Sequence, residues 1–177
     1  AFCVIEEFER DEAVMRLIDS EEAEKSIIFC RTKREVDRLG SSLLARGYLA
    51  KGLHGDMEQG QRREVIEAFQ KGKIDTLIAT DVAARGLDIQ GVTHVFNFHI
   101  PFEADSYVHR IGRTGRAGEK GSAITLVTPR EFRALQRIKQ SVGSNMSNKL
   151  VPSLEDIRKM NGTKYSRQFK NKMCILR

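Results

Sequence analysis

From Ser26 onward, short β-branched or aliphatic runs alternate with segments of helical period, and this rhythm is the sequence sign of β-α-β units built on a parallel sheet. The runs are Ser26–Cys30 and residues 48–53, 75–80, 92–98 and 122–128. Helical segments lie between them at residues 33–46, Gln59–Gln70 and Ala104–Ile111, with a last one at 130–142 behind Pro129. In the second, Val65, Ile66 and Phe69 recur at i, i+1 and i+4, which makes one apolar stripe for the sheet. Gly47 and Gly72 stand where helix C-caps belong. Residues 2–8 read as an edge strand, 12–18 as a short amphipathic helix and 150–160 as a further short helix. The expected fold is α/β: a parallel β-sheet flanked by helices on both faces, three layers deep, in a single domain.

Composition agrees. A chain of 177 residues that is 40% hydrophobic and 31% charged can bury a core without metals or disulfides, and is too apolar to be disordered throughout. Its longest uncharged apolar stretches, such as 76–80 and 123–128, are strand-length and far short of the ~20 residues that span a bilayer. Cys3, Cys30 and Cys174 are scattered without C-x-x-C spacing, so neither a disulfide framework nor a zinc site is indicated. Residues 1–10 carry three glutamates before the first arginine, unlike a signal peptide. A reducing, cytoplasmic setting and an origin within a longer protein are the expectations.

Charge is unevenly placed. The net +6 belongs to residues 156–177, while residues 1–155 balance to zero. Within that balanced part, residues 1–24 sum to −7 and leave +7 on residues 25–155. A basic face on the middle segment suits phosphate; a solvated mixed-charge surface is the alternative.

In an open parallel sheet, ligands bind beyond the carboxyl ends of the strands. Those positions are polar and glycine-rich here: Cys30-Arg31-Thr32, Leu53-His54-Gly55-Asp56, and Ala79-Thr80-Asp81 followed by Arg85-Gly86-Leu87-Asp88. In the last, Asp81 can N-cap a single helical turn through Ala84, and Gly86 can take the left-handed conformation that ends it. Amides, a hydroxyl and Arg85 then gather at the sheet edge, a set that suits a phosphodiester backbone. An ordinary capped loop with a solvent-facing arginine is the other reading.

The sharpest feature is the run from Tyr107 to Gly118, which includes His109-Arg110-Ile111-Gly112-Arg113-Thr114-Gly115-Arg116. An interior glycine costs a helix about 1 kcal/mol against alanine, so this composition is not chosen for helix stability. Were the segment helical, His109, Arg113 and Arg116 would fall at i, i+4 and i+7 on one face. Guanidinium forks that converge need an anion between them, and a transferring γ-phosphoryl group carries the required charge.

Taken together, these residues resemble the C-terminal RecA-like domain of DEAD-box RNA helicases over roughly residues 1–155. Residues 26–33 resemble motif IV, Gln59-Gly60-Gln61-Arg62 the Q-x-x-R motif, residues 79–89 motif V, and residues 109–116 match motif VI at every position. The resemblance implies a RecA-like sheet, with Arg113 and Arg116 as arginine fingers on the γ-phosphate of ATP and Asp88 and Gly86 near the nucleotide. His109 and Arg110 would knit motif VI to the partner domain and to motif V. Arg62, Thr80, Arg85 and Gly86, with Arg31 and Thr32, would contact RNA backbone without reading sequence. One departure is the replacement of an acid by His99 in Asn97-Phe98-His99-Ile100-Pro101, where a satisfied hydrogen-bonding role is expected.

No G-x-x-x-x-G-K-[ST] occurs in the sequence. The resemblance therefore places the P-loop and the Mg²⁺-binding acids on an N-terminal RecA-like domain outside this chain, and the chain alone is expected to be inactive as an ATPase. Asp11-Glu12-Ala13-Val14 lacks a preceding apolar strand and reads as a charged helix start rather than a metal-binding motif. A non-catalytic RNA-binding or scaffold domain is the competing reading. Residues 156–177, with Lys159, Lys164, Arg167, Lys170 and Lys172 around Tyr165 and Phe169, read either as a basic linker, short helix or disordered, or as an RNA-holding tail.

Overall fold

The computed structural model describes residues 1–87, 89–115, 118 and 120–161. Six parallel strands form one sheet in the order β1-β6-β5-β2-β4-β3. They are β1 (Phe2–Val4), β2 (Ser26–Cys30), β3 (Ala50–Leu53), β4 (Thr76–Thr80), β5 (His94–Asn97) and β6 (Ser122–Val127). The helices are α1 (Arg10–Ser20), α2 (Lys33–Ala45), α3 (Gln59–Gln70), α4 (Asp81–Ala84), α5 (Ala104–Ile111), α6 (Phe132–Val142) and α7 (Leu154–Asn161).

Every residue of β2 is buried, as a central parallel strand covered on both faces requires. Its side chains alternate. Ile28 and Cys30 face Val14 and Leu17 of α1 and Val36, Leu39 and Leu43 of α2, whereas Ile27 and Phe29 face Phe69 of α3 and Ala83 and Ala84 of α4. A third cluster covers the far edge, with Tyr107 of α5 and Leu135 and Ile138 of α6 packed on Phe2 and Val127. Helices α1 and α2 thus lie on one face and α3 to α6 on the other, the arrangement that right-handed crossovers produce when successive connections run in opposite directions from the middle of a sheet.

Local chemistry sets the boundaries. Helix α2 starts at a capping box, in which Thr32 Oγ1 accepts the Glu35 N–H (3.2 Å) and Glu35 accepts the Thr32 N–H (3.2 Å). Gly72, with φ 71°, closes α3, as its position in the sequence suggests. The first strand is shorter than expected. The chain leaves it after Val4, bends into a 3-10 turn at Glu7–Glu9 closed by a Glu6/Glu9 capping box, and enters α1. Helix α7 crosses the expected limit at residues 155 and 156, packing on α1 with Ile157 buried. None of the helices among the described residues is long and apolar enough to cross a membrane.

Arg10 is buried at the head of α1 and ties the carboxyl edge together. Its Nη1 donates to Phe98 O (2.6 Å), its Nη2 to Glu131 Oε2 (2.6 Å) and its Nε to Glu7 Oε1 (2.9 Å). The Glu131 carboxyl lies well below the usual carboxylate range: burial opposes its charge, but the His99 ring, the Thr128 N–H (2.9 Å) and the Arg10 guanidinium outweigh that. Because the folded value is depressed, the stabilisation is present above the unfolded value near ~4.3 and is lost as pH falls toward the folded one. We expect Glu131→Gln to lower stability at pH 7 by about 1–3 kcal/mol and to flatten the acid side of the stability profile in urea titrations between pH 7 and 3. Arg10→Met, which strands a buried carboxylate, should cost about 3 kcal/mol in the same measurement.

Candidate functional site

Strands β2, β4 and β5 lie side by side at the centre of the sheet, and their carboxyl ends bring the predicted residues to one edge. Cys30 pairs in register with Thr80, so Arg31 and the loop after β4 leave neighbouring strands at the same level. In that loop Thr80, not Asp81, is the cap: it has extended dihedrals, and its Oγ1 accepts the Ala83 N–H (3.3 Å). The Asp81 carboxylate is not needed as a cap and grips Arg110 of α5 in a bidentate pair, Nε–Oδ1 and Nη2–Oδ2 both 2.6 Å. The Arg85 N–H reaches Asp81 O (3.1 Å), and Gly86 follows with φ 75°, a value glycine adopts without strain.

Arg110 is 2% exposed, so every donor it turns inward needs a partner. Its Nη1 donates to His99 O (2.8 Å) and Asn97 Oδ1 (3.3 Å), and its guanidinium lies 5.3 Å from the centre of the Phe29 ring. Asn97 is itself buried and donates through Nδ2 to Thr125 Oγ1 (3.0 Å). The pair Arg110–Asp81 thereby welds the helix carrying motif VI to the turn carrying motif V.

The helix ends at Ile111, where the sequence places its end, so the helical condition for a face shared by His109 and Arg113 is not met. The Arg113 N–H bonds Arg110 O (3.2 Å) and the Thr114 N–H bonds Ile111 O (3.1 Å), a tightening of the last turn that Gly112 permits, and Gly115 then adopts φ 67°. Arg113 instead reaches back to the β4–β5 connection, where Nη1 donates to Leu87 O (2.6 Å), while Thr114 Oγ1 donates to Val92 O (2.6 Å). Arg113, Arg85, His109, Ser106, Asp81 and Arg110 consequently share one open cleft of about 210 Å³. Arg116 and Asp88 lie outside the described residues.

The remaining predicted residues do not line this cleft. Arg62 Nη2 donates to Ala83 O (2.5 Å) and so braces α3 against the turn. Arg31 donates to Ile100 O (3.2 Å) and Glu131 Oε1 (3.0 Å), lies 4.9 Å from the centre of the Phe102 ring and remains exposed. Thr32 is engaged as the α2 cap. His99, expected to be a satisfied hydrogen-bonder, is satisfied on one side only: Nε2 pairs with Glu35 Oε1 (2.6 Å), while Nδ1 is buried without a partner, 3.9 Å from Glu131 Oε1. Sequence reasoning missed Arg10, Asn97 and Glu131, whose importance rests on long-range partners; the Thr128–Glu131 capping box is the one local signal that marked any of them.

Chemically, the cleft offers guanidinium, hydroxyl and imidazole groups to an anion. Among the described residues no group of His, Cys, Asp or Glu could hold a metal ion. Burial pushes the Cys30 thiol up, so it is no nucleophile at this edge.

The parallel sheet with cations gathered beyond the carboxyl ends of its central strands is an α/β architecture with an anion-receiving edge. The family of the helicase conserved C-terminal domain matches residues 9–118. The DEAD-box ATP-dependent RNA helicase RhpA of Helicobacter pylori strain ATCC 700392 / 26695 is 53% identical over 155 residues, covering 88% of this chain and 32% of the relative. Among solved structures, a DEAD box protein from the hyperthermophile Methanococcus jannaschii superposes with TM-score 0.78 at 41% identity over 86% of this chain and 41% of that one. Dbp5 of S. cerevisiae bound to RNA and ADP BeF3 does so with TM-score 0.80 at 31% identity, over 92% and 44% respectively. The chain belongs to the DEAD-box RNA helicases, as their C-terminal RecA-like domain. It spans about a third of the length of the curated relatives it matches.

A Cβ at Gly121 would collide with the Gly115 backbone and Thr114 Oγ1. Gly121→Ala should therefore displace the segment that aims Arg113 without emptying the core. The expected outcome is a near-native unfolding midpoint together with a drop of at least about tenfold in the activity of the complete protein.

Proposed function

We propose that this chain is the second half of a split ATPase site in an RNA helicase. Arg113 and Arg116 act as arginine fingers toward the γ-phosphate of ATP, Asp88 and Gly86 lie beside the nucleotide, and His109 meets the facing domain. The P-loop and the acids that hold Mg²⁺ belong to an N-terminal RecA-like domain of the same polypeptide, so the isolated chain turns over no ATP. Bound ATP supplies the phosphoryl group whose charge the guanidinium groups neutralise. Arg62, Thr80, Arg85, Gly86, Arg31 and Thr32 hold the RNA backbone, and closure of the two domains over ATP and RNA separates a short duplex. The domain includes α7, and the basic tail follows it.

The observation that carries this reading is the Arg110–Asp81 pair, because it makes the predicted nucleotide-binding and RNA-binding segments one rigid body. The likeness to Dbp5 bound to RNA and ADP BeF3 supports it. In the complete protein, Arg113→Ala or Arg116→Ala should reduce RNA-stimulated ATP hydrolysis by about 10³–10⁵-fold while ATP binding is largely retained. Unchanged turnover would remove the finger assignment. ATP-independent, sub-micromolar RNA binding by the isolated chain would instead favour a scaffold.

A further inference from the structure

Helix α6 has no acidic residue, and with the 3-10 turn Pro129–Glu131 that leads into it carries Arg130, Arg133, Arg137 and Lys139. At about 100° per residue, Arg133, Gln136, Arg137 and Gln140 fall within one arc of the helix surface, and all are exposed, as is Arg130 a turn earlier. Lys139 points elsewhere, 5.0 Å over the Phe2 ring. Among the described residues, none of the three arginines has an acidic partner. The nearest acid in sequence, Glu131, is turned inward and spent on Arg10, Arg31 and Thr128.

Some surface cations elsewhere in the chain are paired. On α2, Arg38 Nη2 takes Asp11 Oδ1 (2.9 Å) and Arg46 Nη1 takes Glu12 Oε2 (2.5 Å). On α6 the like charges of Arg133 and Arg137 stand at i and i+4, which is unfavourable. Arg133 also sits in the first turn of α6, at the positive end of the helix, where a cation is again unfavourable; the turn itself has no acid, and Glu131 at the N-cap is engaged by Arg10. An anion laid along the helix would reverse both penalties.

The location says which anion. Helix α6 follows β6, so its first turn stands at the carboxyl edge shared with β2 and β4, and the turn bearing Arg130 is joined to Arg31 through the Arg31–Glu131 pair (3.0 Å). From residue 130 to 137 the axis advances about 10 Å, long enough to meet more than one phosphate of a strand. The arc carries guanidinium and amide donors and no apolar anchor, which suits a phosphodiester chain better than the apolar centre of a protein interface.

We propose that Arg130, Arg133 and Arg137 form a second phosphate track that holds RNA continuing past Arg31, outside the cleft. This rests on the RNA-binding reading above and extends it. The test uses the complete helicase and two RNAs, a single strand short enough to fill only the cleft and one extended past it, with binding followed by anisotropy across a KCl series. For the variant R130Q/R133Q/R137Q, binding of the extended strand should weaken at least tenfold, and its log–log salt slope should lose about 2, or ~0.7 per phosphate released. Short-strand affinity should stay within twofold, and R130K/R133K/R137K should restore the slope. An unchanged slope on the extended strand, an equal loss on both strands, or equal displacement of RNA by poly-glutamate at matched charge would overturn the track. Loss of both strands in Arg62→Ala, with the track variant affecting only the longer one, supports both readings, whereas Arg62→Ala without effect on either strand removes the cleft reading and this extension with it.

Discussion

A guanidinium taken out of water must be fully met by acceptors, and Arg110 meets that demand with groups from four places: Asp81 after β4, Asn97 at the end of β5, the His99 carbonyl beyond it and the Phe29 face on β2. Because these partners come from the ends of three strands, β4, β5 and β2, one side chain ties the carboxyl edge together. The segments bearing Arg113 and Arg85 inherit their relative positions from it. The buried pair fixes the cation-lined cleft to the sheet rather than leaving it to flexible loops.

A second hub, Glu131, does similar work one strand further out. It receives Arg10 from α1, Arg31 from the β2 end and its own capping hydroxyl and amide from Thr128. Its full engagement leaves the arginines of the following helix without an acid. Two features that look separate in sequence, a capping box and a string of arginines, are therefore coupled: satisfying the first within the fold leaves the second as net positive surface.

Much of this was legible beforehand. The helices Gln59–Gln70 and Ala104–Ile111 fall where period and caps place them, and Gly47, Gly72 and Gly86 take the positive φ that their positions suggest. Periodicity and capping are local, so the chain declares them directly. The errors came where a local rule met a long-range one. Asp81 is a good cap by type, yet Thr80 caps and Asp81 turns to a buried arginine 29 residues away. Arg113 lies past the helix end that the sequence indicates, and a carbonyl on another connection, which no local rule reveals, claims it.

Sequence alone determined the alternation of strands and helices, the parallel sheet, and the set of cations and hydroxyls that follow its strands, because hydrophobic period and turn chemistry depend on near neighbours. Tertiary structure decided which of those charges are spent and which remain. Arg10, Arg110 and Glu131 disappear into pairs formed across dozens of residues, while Arg130, Arg133 and Arg137 are left facing water. That division depends on the desolvation of particular atoms once the layers are packed, a quantity that no stretch of chain possesses before it meets the rest.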